Sequence, residues 1–419
     1  AAGAGQNTGI GANAGKSITT GDYNTLLGYN AGDAITTGSS NVAIGYNALS
    51  AEDGNGSNVA IGANALGNLN AGANAENVAI GHDAGANATT GGENVIVGAT
   101  AGDAITIGEK NVAIGHNALG ADDVGSRNVA VGWDALGSQN AAGASVNNYY
   151  NVAVGANTGF SITSGYYNTF VGGLCGDDTD DGLNNTAMGF GALSANCDND
   201  NTAVGASALT VCTGYHNTAI GKDAGGQVTT GGNMTFLGKD AGRTGSPGGA
   251  HTNGTNSVVI GDENIANIYA QVSVTATSDE RDKTDFTPLN LGLDFVNDLS
   301  PVTYKWDRRI HYADKTEPNW RETVDLDTLT NDGTHKDDDL QVGFKAQEVI
   351  ALEEAAGYRL SDETNLTATQ THDGKQFGLR YERFVPILTK AIQELSAKVD
   401  ALETENTAIK ARLDALEAE

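Results

Sequence analysis

The segment TATSDERDKTDF at 275–286 combines a nucleophile and a base within a short charged stretch. Ser278 is followed five residues later by Lys283. A serine hydroxyl is a poor nucleophile until a base removes its proton, and a lysine can be that base only where a dry or cationic setting lowers its pKa. Because serine and lysine occur at this spacing in many chains, the pair alone is typical of a charged linker.

The three cysteines are a second set of residues with possible chemistry. Cys175, Cys197 and Cys212 lack CxxC or zinc-ligand spacing. We predict small buried side chains, because free cysteine is among the most buried residue types. Cys197 and Cys212 lie 15 residues apart in a repeat of similar period, so stacking and pairing of these two remains an alternative.

Clusters of acids form the third set. The segments DDTDD at 177–181 and CDNDN at 197–201 offer oxygen ligands of the kind that bind Ca²⁺, but solvated turns explain them more simply. No metal site and no cofactor are therefore predicted. A polysaccharide depolymerase would need paired acids in a groove. Scattered candidates exist, although solvated loops again explain them more simply: Glu52, Asp53, Asp122 and Asp123.

Composition divides the chain of 419 residues into unlike parts. Most of the 57 glycines precede residue 262. Residues 1–277 carry 6 basic and 22 acidic side chains, and residues 278–419 carry 17 and 30, so both parts are acidic. Such a surface repels nucleic acid and anionic membranes, and no apolar run is long enough to span a bilayer. We expect neutral glycans, cations or proteins as partners.

A five-residue motif of the type NVAIG recurs through residues 1–262, a segment that we call the shaft. Nine of the fourteen spacings between the motif glycines are 17 residues, which predicts fifteen coils. The glycines are Gly11, Gly28, Gly45, Gly62, Gly81, Gly98, Gly115, Gly132, Gly155, Gly172, Gly189, Gly205, Gly221, Gly238 and Gly261.

A unit of this length cannot bury a core alone, so the coils must stack into a parallel β-roll or β-helix. Two short strands joined by Gly/Asn turns fit each period, with Asn and Gly in left-handed turns and the Asn amides stacked. Strands about 4.8 Å apart give a rod on the order of 70 Å long. Insertions at 137–150 and 242–256 lengthen two coils and are predicted to loop out.

The spacing switches to heptads in residues 385–419, which predicts a coiled coil. Facing g and e residues of a parallel in-register bundle attract in three pairs: Lys398–Glu403, Glu405–Lys410 and Arg412–Glu417. These pairs favour a parallel homo-oligomer, dimer or trimer; the alternative is one amphipathic helix packed on its own domain. The a and d positions are Leu388, Ile392, Leu395, Val399, Leu402, Asn406, Ile409, Leu413 and Leu416.

The chain between shaft and coiled coil is rich in Trp, Tyr and Phe and predicts a small α+β domain at 278–384, joined to the shaft by a junction at 263–277. The motifs SDERDK, PVTYKW, GFKAQEV and YERFVPILTKAIQEL follow one another there. In this order they resemble the peptidase S74 family, the intramolecular chaperone at the end of phage tail spikes and fibres. The resemblance covers residues 278 to about 400.

This resemblance gives Ser278 and Lys283 a role, because in that family the corresponding pair cuts the chain just before the serine. The bond implied here joins Thr277 to Ser278. At most, the chain is then a single-turnover self-cleaving endopeptidase without an external substrate. Arg281 would help to lower the pKa of Lys283 and Asp279 would orient the turn. Asp282 departs from the apolar residue expected before the lysine, and its charge would slow base catalysis.

The repeat units also resemble the head repeats of trimeric autotransporter adhesins and the repeat shafts of phage fibres. Together the resemblances imply a homotrimeric tail fibre or spike, located in the extracellular virion tail, that binds a host-surface glycan or protein and meets other tail proteins at its N-terminus. The chaperone would bring three chains into register before the shaft folds from that end. The alternative is a bacterial surface adhesin or extracellular filament with the same chaperone.

Overall fold

The computed structural model describes residues 5–54, 56–72, 75–140, 147–271, 276–317 and 319–418. The chain forms two compact units, Ala1–Asp262 and Glu263–Glu419, which we describe separately. Part of the junction, residues 272–275, and part of the first insertion, residues 141–146, lie outside the described residues.

The first unit is a parallel β-solenoid. Its strands are β1 (Thr8–Ile10), β2 (Thr25–Leu27), β3 (Val42–Ile44), β4 (Val59–Ile61), β5 (Val78–Ile80), β6 (Val95–Val97), β7 (Val112–Ile114), β8 (Gly125–Ser126), β9 (Val129–Val131), β10 (Asn147–Asn148), β11 (Val152–Val154), β12 (Thr169–Val171), β13 (Thr186–Met188), β14 (Thr202–Val204), β15 (Thr218–Ile220), β16 (Thr235–Leu237) and β17 (Val258–Ile260). Strands β8 and β10 pair with each other, and the other fifteen form one sheet. The predicted fifteen coils are thereby confirmed.

The repeating motif positions each coil on the next. From β2 onward the middle residue of each strand in this sheet points inward, as Ala113 does, and is buried. The asparagine that precedes most of these strands is buried too, and its backbone N–H donates to the side-chain oxygen of its counterpart one coil earlier, as from Asn111 to Asn94 at 2.9 Å. The predicted asparagine ladder is therefore present. A Cβ at Gly98, whose φ is +142°, would lie 2.3 Å from the carbonyl oxygen of Gly115, so this column requires glycine.

Each regular coil contributes one strand to the main sheet, so the expected two strands per period are wrong. The rest of the coil is built from turns. Asn47 and Leu49 both have positive φ, and an alternation of left-handed residues cannot continue an extended strand. Stacked turns are nevertheless hydrogen-bonded from coil to coil, because the N–H of Leu49 donates to the carbonyl of Ala65 at 3.0 Å.

The second insertion also differs from the expected surface loop. Residues Ser246 and His251 are buried, and the His251 ring packs edge-on against Phe236 with centroids 5.8 Å apart. Arg243 lies 3.3 Å from a carboxylate oxygen of Asp223. The physical reason is that the last coils would otherwise expose their apolar interior, and terminal repeats need a covering segment.

The three cysteines lie in the solenoid interior. All three cysteines are buried free thiols, so Cys197 and Cys212 are not paired. Burial raises the pKa of Cys175 and Cys197 to about 12 and that of Cys212 to about 11.

Two of the scattered acids are interior as well, which corrects the expectation of solvated loops. Glu52 and Asp122 are fully buried, whereas the neighbouring Asp53 is exposed. Asp122 accepts hydrogen bonds from the backbone N–H of Gly125 at 2.8 Å and from the Gln139 amide at 2.6 Å. Glu52 and Asp122 therefore do not line a groove.

The second unit has the small α+β architecture that was predicted. Its elements are α1 (Leu293–Asp298), β18 (Val302–Tyr304), α2 (Trp320–Thr323), β19 (Gln341–Gly343), α3 (Ala346–Ala355), β20 (Ala368–Gln370), β21 (Phe377–Leu379) and α4 (Phe384–Glu417). Strands β18 and β19 pair antiparallel, as do β20 and β21. The main core joins α1, α3 and the start of α4 through the side chains of Leu291, Phe295, Val349, Phe384 and Ile387.

Helix α4 is continuous over 34 residues, and only its beginning packs on the domain. Every residue from Leu395 to Ala418 is exposed in the single chain. The predicted a and d side chains share this exposure, including Ile392 at 66% and Leu402 at 58%. The seam therefore does not pack on its own domain, and the alternative of a self-packed amphipathic helix is wrong.

Candidate functional site

Ser278 and Lys283 lie together at the start of the second unit's sequence motif. A 3-10 helix at Glu280–Asp282 turns the chain between them, and the backbone N–H of Lys283 donates to the carbonyl of Glu280 at 3.1 Å. This turn brings the Lys283 ammonium to the Ser278 hydroxyl, to which it donates a hydrogen bond. The same ammonium donates to the carbonyl oxygen of Ser278 at 3.2 Å.

Asp279 and Arg281 hold the turn. The Asp279 carboxylate caps the 3-10 helix by accepting from the backbone N–H of Arg281 at 2.9 Å. Its second oxygen binds the Arg281 guanidinium at 2.6 Å. These bonds lower the pKa of Asp279. The Arg281 charge is thus directed at Asp279, and the geometry suits a role in shaping the turn for both residues.

Asp282, the residue that departs from the family pattern, precedes Lys283 directly. Among the described residues, the Asp282 carboxylate forms no ion pair with the lysine. Its influence on the lysine would therefore be a through-space charge effect.

All six residues of the segment 278–283 are exposed in the single chain, as is Thr277 on the other side of the bond. A lysine base needs desolvation or a nearby cation to lose its proton near neutral pH. The described part of the chain brings the two side chains together but leaves them in water. A single chain therefore provides the contact between Ser278 and Lys283 but not the dry surroundings that a lysine base needs.

Sequence reasoning missed two buried carboxylates that organise this unit. Glu353 on α3 is buried and accepts hydrogen bonds from the backbone N–H and the hydroxyl of Thr367, both at 2.6 Å. Glu263 binds Arg321, and both are buried. No periodic pattern marks either residue, because a buried carboxylate depends on partners distant in sequence.

The described residues contain neither a group of three or more His, Cys, Asp or Glu side chains placed to hold a metal ion nor a helix long and apolar enough to cross a membrane.

Comparison with protein families finds one match in the second unit. Residues 278–358 match the Peptidase_S74 family model, described as chaperone of endosialidase. The match begins at Ser278, the serine of the pair described above. No curated protein matches the chain. Residues 278–358 thus carry a chaperone-of-endosialidase domain of the Peptidase_S74 type, which together with the β-solenoid shaft fits a tail fibre with a C-terminal chaperone domain.

Proposed function

We propose that the chain is a phage tail fibre or spike protein whose C-terminal unit trimerises and folds the shaft and then cuts the chain between Thr277 and Ser278. The observation that carries the proposal is the coincidence of the family match with the contact of Ser278 and Lys283 at its first residues. The proposed domain boundaries are the ones predicted from the sequence, with a chaperone at 278–384 and a coiled coil at 385–419.

Trimerisation is supported by the apolar seam of α4. Its a and d side chains are exposed along more than twenty residues, and an isolated helix of this kind would leave them in water. A parallel bundle covers them and places the three copies of each domain at the same height. Because neighbouring coils of the shaft are so similar, many registers of association bury nearly equal surface, and a fixed starting point selects one of them.

The cleavage step uses only groups of this chain and water. Neutral Lys283 takes the proton from the Ser278 hydroxyl while Oγ attacks the carbonyl carbon of Thr277. The new C–O bond forms, the C–N bond between Thr277 and Ser278 breaks, and the amine of Ser278 leaves with the proton returned by the lysine. Water then hydrolyses the ester, which leaves Thr277 as a carboxylate and regenerates the serine hydroxyl.

Assembly supplies what the single chain lacks. Because the two side chains are exposed in one copy, we propose that neighbouring copies exclude water from Lys283, as a lysine base requires. Cleavage would then follow folding of the trimer, and it would break the covalent link between the chaperone and a shaft that can no longer unfold readily.

Intact mass spectrometry of wild type, Ser278→Ala and Lys283→Ala tests the cleavage. We expect wild type to give fragments 1–277 and 278–419 and both variants to stay whole. Ser361→Ala and Lys345→Ala, which change exposed residues elsewhere in the same unit, should cleave like wild type. A wild type that remains whole after denaturation would contradict the proposed self-cleavage and leave a retained trimerisation domain.

Attachment to a host surface is the remaining part of the proposal. The shaft exposes aromatic side chains, and the rings of Tyr29 and Tyr46 stack 5.6 Å apart while those of Tyr150 and Tyr167 lie 5.8 Å apart. Aromatic rings contribute large contact area at small conformational cost. Loss of cell binding by a Tyr150→Ala/Tyr167→Ala variant with unchanged folding would support the assignment, and unchanged binding would contradict it.

A further inference from the structure

The outer face of the fifteen-stranded sheet carries two uncharged rows, one of them apolar throughout and the other of Val and Thr. In each strand the first and third residues point outward, and none of them is buried. The third position is Ile, Leu, Val or Met in all fifteen strands, and the first is Val or Thr in all fifteen. The third-position row is Ile10, Leu27, Ile44, Ile61, Ile80, Val97, Ile114, Val131, Val154, Val171, Met188, Val204, Ile220, Leu237 and Ile260.

The absence of charge from these rows contrasts with the rest of the shaft. Residues 1–277 contain 22 acidic and 6 basic side chains, yet none occupies a first or third strand position. A sheet face in contact with water normally carries polar residues. Sheets that are entirely parallel almost always have both faces covered. Here only the inner face is covered within one chain, by the coil interior.

We propose that this outer face is the surface along which copies of the chain pack against one another in the shaft. The inference rests on the proposed trimer and names the face that forms it. Because the coils have the same spacing in every copy, each outward Ile or Val can fall between residues of a neighbouring row when the copies run parallel and are aligned coil against coil. The exposed seam of α4 favours the same parallel arrangement.

The size of the face agrees with such an interface. Fifteen strands about 4.8 Å apart and about 10 Å long cover on the order of 700 Å² on each copy. In a ring of three, each copy divides this face between two neighbours, so the contacts of one copy together cover an area close to the about 800 Å² that one partner contributes to a stable interface. In a ring of three, the first-position row of one copy would meet the third-position row of the next, which is a heterologous and closed contact.

Cysteine labelling of the full-length chain distinguishes this face from its surroundings. Ile114→Cys places a thiol in the third-position row, and His116→Cys places one on the same coil beyond Gly115; both positions are exposed in one chain. The three native cysteines give little background, because they are buried and their pKa values are raised to about 11 or 12. Labelling with a maleimide is followed by mass spectrometry, and the mass of the assembly is measured by light scattering.

We expect a trimeric protein in which Ile114→Cys reacts at least about tenfold more slowly than His116→Cys, with equal rates after dissociation in denaturant. Equal rates in a trimeric native protein would overturn the placement of the interface while leaving the proposed assembly intact. A monomeric wild type would overturn the assembly itself, and the two failures are therefore distinguishable.

A charge-matched pair of triple variants gives a second test that does not depend on labelling. The variant Ile80→Lys/Val97→Lys/Ile114→Lys adds three charges to the row. The variant His82→Lys/Ala99→Lys/His116→Lys adds them one residue beyond the motif glycine of the same coils, where other coils carry Lys222 and Lys239. We expect only the first to lower the thermal midpoint of the shaft and to expose it to protease. Equal behaviour of the two would contradict the proposal.

Discussion

Glu263 and Arg321 form a buried ion pair that joins the two sides of the bond between Thr277 and Ser278. Arg321 Nη2 lies 2.8 Å from Oε1 and 3.1 Å from Oε2 of Glu263. Both residues are about 95% buried, and the guanidinium also lies over the Trp320 ring, 4.5 Å from its centroid. Cleavage at residue 277 would therefore leave Glu263 on one fragment and its partner on the other.

The first prediction is that this pair retains the cleaved chaperone. Removing one partner of a buried ion pair costs about 3–5 kcal/mol, because the other charge stays buried. In Glu263→Gln the two fragments should separate on size exclusion under conditions where wild-type fragments elute together. In the uncleavable Ser278→Ala background the same change should lower the thermal midpoint of the second unit.

Glu348→Gln is the control for that experiment. It removes an ion pair with Lys345 whose two side chains are both largely exposed, and such pairs contribute about 0.2–1 kcal/mol. We expect its fragments to elute as in wild type. Co-elution of the Glu263→Gln fragments would show that other contacts hold the product.

The second prediction links cleavage to assembly. Leu402→Asp/Ile409→Asp places charges at two d positions of α4, and we expect a monomer in which the proposed cleavage is slowed at least about a hundredfold, since the water around Lys283 is no longer excluded. Thr404→Asp/Ala411→Asp adds the same charges to outward f positions and should assemble and cleave normally. Light scattering and the rate of fragment appearance are measured together. Rapid cleavage in a monomer would contradict the link.

The third prediction concerns Asp282. Its carboxylate directly precedes Lys283 in the chain, and a negative charge beside an amine opposes its use as a base, so Asp282→Asn should raise the rate of cleavage at neutral pH about threefold. Asp298→Asn, at the end of α1, should leave the rate unchanged. An unchanged rate for Asp282→Asn would show that the charge effect at this exposed position is negligible.

Much of the shaft follows from local sequence signals, because the glycine after each strand and the asparagine before it recur at a period that the eye can follow. The period could not show that one strand per coil suffices, since the choice between a strand and a run of left-handed turns depends on hydrogen bonds to neighbouring coils. The burial of Glu52 and Asp122 was missed although the period carries a signal for it, because each stands seven residues after a motif glycine, where several other coils place a buried Ile or Leu such as Ile35.

The candidate site, too, could be predicted from the sequence only in part. The spacing of Ser278 and Lys283 predicts a possible contact, and a turn of three residues brings the two groups together. Glu263 and Arg321 lie 58 residues apart in the sequence, without any motif to connect them. Such pairs are fixed by packing of the whole unit, which composition and periodicity do not describe.

The fourth prediction concerns Glu353, the carboxylate that ties α3 to the strand β20. It accepts hydrogen bonds from the backbone N–H and hydroxyl of Thr367, and from the backbone N–H of Leu366 at 3.2 Å. Hydrogen bonds to a charged acceptor contribute about 1.5–3 kcal/mol each, so Glu353→Gln should lower the free energy of unfolding by at least about 2 kcal/mol. Glu354→Gln, an exposed neighbour on the same helix, should have almost no effect in the same denaturant titration. Equal effects of the two would contradict this anchoring role.

The last prediction is a dependence of stability on pH that comes from Lys375. This lysine binds the carboxylates of Asp325 at 2.9 Å and Asp327 at 2.7 Å, and its hydrogen bonds are the main cause that lowers the pKa of both. Because the folded pKa values lie below the unfolded ones, this stabilisation is present above about pH 4 and is lost as the pH falls through the folded values. Wild type should therefore melt above Lys375→Gln at pH 7, and the difference should vanish at strongly acidic pH. A difference that persists or grows on acidification would contradict the assignment, since it could not come from ionised Asp325 and Asp327.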